Sequence, residues 1–260
     1  MMIGARRAGG IPSMIPAAIA AAWALAVIAQ ATGSARLLHH DALVEGRLPV
    51  WAALALFILA WQAMIAAMML PSILPLVRVF AIVSTQQARR EAAMLALVAG
   101  YAAVWTAFGI LAFLGDVVLH RFVDRTPWLA AHSWLIAGGV LAMAGAFQFT
   151  PLKDACLSKC RLPGTYLMQH YRRGAAAAFR LGRGHGLTCV GCCWALMLLM
   201  FAAGVAHLWW MAALTAVMVY EKVGRNGKRA VPLVGALLLL WGVLVIAHPV
   251  WLPAPISGAL

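Results

Sequence analysis

Apolar residues run along this chain in long blocks, and the polar residues collect between them. The blocks cover about residues 15–31, 50–79, 92–114, 134–149, 187–206, 208–220 and 231–247. About 20 apolar residues in a helix cross the hydrocarbon of a bilayer, so the pattern predicts six or seven transmembrane helices. The first block is short, and Ala29-Gln30-Ala31 loosely resembles a signal-peptidase site. A retained first helix is the expectation, giving seven spans; cleavage would leave six. The second block is too long for one straight crossing and is expected to tilt or kink at Pro71 and Pro75. Thr150-Pro151 has the form of an N-cap followed by Pro at the first helical position. It should open a short helix outside the membrane. The longest polar segment, 161–185, belongs to a loop with short helices over 153–185, and a tight turn is expected at His207. The reading is an all-α polytopic bundle forming a single integral membrane domain over 1–260.

Composition supports that reading. The chain is 65% hydrophobic and only 10% charged, where a soluble domain carries about 25% charged residues. A net charge of +13 raises the question of nucleic acid, but its distribution answers it. Counted on alternate sides, sixteen of the 20 Lys and Arg fall on the side of the N-terminus. By the positive-inside rule the N-terminus is cytoplasmic and the bilayer is the partner, with no nucleic acid implied. Trp51, Trp128, Trp134, Trp209, Trp210 and Trp251 fall near span ends, as an aromatic belt should.

The chemistry lies in the sulfurs. The five cysteines form two clusters, Cys156/Cys160 and Cys189/Cys192/Cys193. That is poor material for a disulfide framework and better material for thiol chemistry in a reducing compartment. On a helix, Cys189, Cys193, Met197 and Met200 share one face at steps of four, four and three. Met64, Met68 and Met69 come late in the second span, toward the same cytoplasmic leaflet as the cysteines. Met211, Met218 and Glu221 descend to it on the sixth. Thiolates and thioethers are the soft ligands that select Cu(I). The metal candidates are therefore Cys189, Cys192, Cys193, Cys156 and Cys160, with Met64, Met68, Met69, Met197 and Met200. His185, four residues before Cys189, joins them unless Gly184 and Gly186 break the helix there. The bland alternative makes the same Cys and Met ordinary packing residues. Zinc is the alternative metal, and the closely spaced thiols also fit a thiol–disulfide oxidoreductase. Otherwise no enzymatic arrangement presents itself: there is no catalytic triad, paired carboxylate or ATPase motif. Gly182-x-Gly184-x-Gly186 lacks the strand and Lys-Ser/Thr of a phosphate loop. His39/His40 are a weak metal signal in an outer loop, and His170 reads as solvated. Gln148 is expected to bond a neighbouring helix, and Glu221 to pair with adjacent Lys222.

Several motifs occur together in one order: Met64-x-x-x-Met68-Met69-x-Pro71-Ser72, then Gln148-x-Thr150-Pro151-Leu152-Lys153-x-x-Cys156-x-x-x-Cys160-Arg161-x-Pro163, then Gly186-x-x-Cys189-x-Gly191-Cys192-Cys193-Trp194-Ala195-Leu196-Met197, and Glu221-Lys222. Over roughly residues 50–225 the chain resembles a bacterial family described as predicted metal-binding integral membrane proteins. One member is reported to supply copper to a membrane-associated polyphenol oxidase. The resemblance implies a multi-pass protein of the bacterial inner membrane that handles Cu(I) for a copper-requiring client. Function by family analogy still has to be argued from the site.

Overall fold

The computed structural model describes residues 13–34, 49–132, 134–202 and 208–248. Among these residues all regular structure is helical. The elements are α1 (Met14–Ala31), α2 (Val50–Met68), α3 (Leu70–Val83), α4 (Arg90–Asp124), α5 (Pro127–Ala130), α6 (Trp134–Phe147), α7 (Pro151–Arg161), α8 (Pro163–His170), α9 (Ala175–Ala202), α10 (Leu208–Val223) and α11 (Gly227–Ala247). Five of them, α1, α2, α4, α9 and α11, are long and apolar enough to cross a membrane, and a sixth span results if α6 and α7 count as one bent crossing. The chain is a polytopic helical bundle. The expected turn at His207, the His39/His40 loop and Trp251 lie outside the described residues.

The overlong second block resolves into two helices that break at Met69, and proline is the reason. Pro71 has no N–H to give the carbonyl four residues back, which is that of Ala67. Trp23 of α1 donates its indole N–H to the Ala67 oxygen instead, at 3.1 Å. The freed group is satisfied by a neighbouring helix, as a break among apolar helices requires. Ser72 closes the other side of the break, its hydroxyl donating to the Met69 carbonyl at 2.8 Å.

Two further departures from the block pattern matter. The polar stretch before residue 187 is not all loop: α9 already begins at Ala175 and runs without a break through Gly184 and Gly186. The fourth block gives only the 14 residues of α6, then bends by 64° into α7. That turn is where Thr150 caps α7, its hydroxyl accepting from the Lys153 N–H at 3.3 Å, with Pro151 in the first turn.

The core is the crossing of α4 and α9, the most extensively packed pair of helices. Their backbones touch because both lack a side chain where they meet. A Cβ on Gly182 would run into the carbonyl of Leu97, and one on Gly100 into that of Phe179. Such close approach is how apolar helices gain packing energy when no water is left to expel. It also brings Tyr101, the neighbour of Gly100, against the cysteine stretch of α9.

Candidate metal centre

Cys189, Cys192 and Cys193 sit halfway along α9, about 20 Å from its start. Their sulfurs all lie within 4.8 Å of one another, and each residue is at most 1% exposed. The Cys192 and Cys193 thiols donate back to the Cys189 carbonyl at 3.1 and 3.0 Å. This local bonding holds both side chains against their own helix, beside Cys189.

Three other helices close over the group. From α7, Cys160 brings its sulfur to 3.9 Å from that of Cys192. From α4, the Tyr101 hydroxyl stands 3.0 Å from the Cys189 sulfur. From the end of α10 comes Lys222, 5% exposed. Its ammonium lies 3.0 Å from Cys189 Sγ, 3.6 Å from Cys193 Sγ, 3.3 Å from Ser72 Oγ and 3.8 Å from Met69 Sδ. The kink at Pro71 is what delivers Ser72 and Met69 to this point. A buried monovalent cation is thus already held among two thiol sulfurs, a thioether and a hydroxyl.

Lys222 is the residue that sequence pattern assigns wrongly. Adjacency pairs it with Glu221, but neighbours on a helix point about 100° apart. Glu221 turns instead to Lys153 of α7, 2.6 Å away, with both side chains 1% exposed. Arg161 then covers the end of α10 by donating to the carbonyls of Glu221 and Gly224. Cationic side chains suit the exposed carbonyls of a helix C-terminus. The usable signal was the step of four from Met218 to Lys222, which places the lysine on the sulfur-bearing face of α10. Tyr101 had no signal beyond being a hydroxyl in the middle of an apolar block.

The remaining candidates separate by distance from this group. Cys156, one turn before Cys160, is only half-buried and lies over Gly191, where a Cβ would come within 2.6 Å of its sulfur. Met64, Met68, Met197 and Met200 are all buried in the core, the last two one and two turns beyond Cys193 on α9. His185 stays helical and 3% exposed, its ring 5.3 Å from that of Tyr166 and 6.3 Å from that of Tyr101. Its Nδ1 has no hydrogen-bond partner, and it stands outside the tight thiol group. Gln148 does not bond a neighbouring helix: both its amide atoms are buried without a partner.

A family model described as a copper chaperone, PpoB2, matches residues 58–245, which is most of the chain. The chain belongs to this copper chaperone family. No curated protein and no solved structure shows significant similarity to it. The matched stretch contains every cysteine, the kink at Met69 and Lys222. The first helix lies outside it, although Trp23 closes the kink.

The donor set suits the family's metal. Three thiols with a fourth at 3.9 Å, and a thioether close by, make a soft environment. Two thiolates and one Cu(I) would leave a net negative charge in a buried place, which is costly unless it is paired. The Lys222 ammonium supplies the pairing charge.

Proposed function

We propose that this protein is embedded in the bacterial inner membrane with its N-terminus in the cytoplasm, binds Cu(I), and delivers it to a copper-requiring client. One observation carries the reading: the sulfurs of Cys189, Cys192 and Cys193 lie within 4.8 Å of one another beside a buried ammonium, in a chain of the copper chaperone family. Cys189, Cys192 and Cys193 hold the ion, with Cys160 as an additional ligand at the edge. Cys156, the one half-exposed thiol, receives it. Met69 brings its thioether to the ammonium that the group holds; Met64, Met68, Met197 and Met200 hold or pass the ion more weakly along α2 and α9. His185 is a further candidate ligand.

The depth of the site supports a membrane setting. Lys222 is the next-to-last residue of α10, yet it meets α9 at its midpoint. The first half of α9 therefore extends beyond the end of α10, and the thiols lie where the apolar blocks give way to the basic segments. An ion held there is near the surface on the side that the positive-inside rule assigns to the cytoplasm.

Cu(I) exchange between thiolates needs no redox step. The test is copper content of detergent-purified protein by mass spectrometry after growth with copper. The Cys192→Ser/Cys193→Ser variant is expected to retain less than about a tenth of the wild-type copper. Retention unchanged in that variant rejects the reading. A second reading, thiol–disulfide exchange, draws on the 3.9 Å approach of Cys160 and Cys192. Copper-free protein with a trapped Cys160–Cys192 disulfide and three remaining thiols would favour it.

A further inference from the structure

A cavity of about 810 Å³ opens between α7, α8 and the first half of α9, outside the thiol group. Its volume is that of a site for a small organic molecule. Lys159, Arg172 and Arg180 line it, together with His170, and no carboxylate does. These cations have no ion-pair partner among the described residues. The basic segment also carries Arg173 and Arg183, which do not line the cavity, and Arg161, which is spent on the end of α10. The three lining cations thus converge on one space.

One side of that space runs along α9 in the direction of the thiols. Arg180, Gly184 and Thr188 line it at steps of four along α9, and the next step of four is Cys192. Gly184 lets the Tyr166 hydroxyl pack directly against α9, where a Cβ would meet it at 2.5 Å. Tyr166 donates to the Leu181 carbonyl at 3.3 Å, and burial holds its phenol above the ordinary value. On α7, Lys159 of the lining comes three residues after Cys156, a spacing that sets the two side by side on the helix, and Cys156 lies across Gly191. A molecule held by Lys159 would therefore lie beside the half-exposed thiol of Cys156, which borders the cavity without lining it.

We infer that this cavity binds a small, multiply anionic thiol compound, and that such a compound is the Cu(I) donor. The role as donor rests on the copper reading above; the anion site does not. Transfer is a ligand exchange: the Cu–S bond of the carrier breaks as a Cu–S bond to Cys156 forms, and the Cys156 thiol proton passes to the departing thiolate. Copper remains Cu(I) throughout, and no oxidant is needed. From Cys156 the ion would move to Cys160 and the buried group.

The test uses the full chain in nanodiscs of zwitterionic lipid. Titration of copper-free protein with S-methylglutathione, an anionic tripeptide whose thiol is capped, is expected to show saturable binding. Arg172→Ala/Arg180→Ala should weaken it by about tenfold or more, and Arg173→Ala/Arg183→Ala should leave it nearly unchanged. In stopped-flow loading, the first pair of substitutions should slow transfer from a Cu(I)–glutathione complex by a similar factor and spare transfer from a Cu(I) complex of an uncharged thiol. No binding to wild type, equal loss in both arginine pairs, or, in nanodiscs that also contain phosphatidylglycerol, occupation of the cavity by that lipid in place of the peptide overturns the inference. Binding of the capped peptide to protein that loads copper from no donor would reject the copper reading and leave the anion site standing.

Discussion

Lys222 has the hardest position of any charged side chain here. An ammonium buried among sulfurs is costly unless those sulfurs carry negative charge. Its presence argues for a cluster that is anionic both when loaded and when empty. Replacing it with Gln keeps a polar side chain and removes the charge. Lys222→Gln is expected to weaken Cu(I) binding by about tenfold or more, read by competition with a chromogenic Cu(I) chelator. Tighter binding in that variant would show that the ammonium competes with the ion. The thiols were legible as a pattern, because steps of three and four on a helix survive without any tertiary knowledge; Met69 was legible only as a member of the methionine cluster before Pro71. The partner of Tyr101 was not, because a single polar residue in an apolar block has no period to read, and the step of four from Met218 gives Lys222 a face but no partner.

Among the helices, the break at Met69 links sequence to site most directly. The prolines announced it; what satisfies it had to come from elsewhere in the bundle. Trp23→Phe would remove the indole N–H and leave the Ala67 carbonyl unpaired. A loss of about 1–3 kcal/mol in stability is expected, measured by denaturant or thermal unfolding in detergent. The same change should loosen Met69 and Ser72 and so lower copper occupancy, although Trp23 is not part of the thiol group. Block boundaries failed where composition and geometry diverge. The first half of α9 is basic and Gly-rich, so hydropathy reads it as loop, yet it stays helical because glycine lets it lie directly on α4. At the other end of the scale, α6 is short because Thr150 and Pro151 start a new helix at 64° rather than continue it.

At the level of the whole molecule, five segments meet at one point: the kink at Met69, α4 at Tyr101, α7 and α9 with their thiols, and the end of α10. A ligand that binds only the assembled state stabilises it by mass action. Saturating Cu(I) at about 100 times the dissociation constant should therefore add roughly 2.7 kcal/mol. Hydrogen exchange should show the gain in α7 and the end of α10, and should show none in Cys192→Ser/Cys193→Ser. The bent passage from α6 to α7 matters most here, since it turns Cys160 and Lys153 back toward α9 and α10. The geometry also has a consequence for how the protein is made. Synthesis runs from the N-terminus, so all five thiols leave the ribosome before Lys222 does. Until the last part of α10 arrives, a growing chain has its cysteines without the charge that balances them, and Glu221 is not yet there to hold α7 in place. Copper capture thereby becomes a property of the finished chain, and a truncated product ending in α9 would keep every cysteine yet make a poor trap for metal.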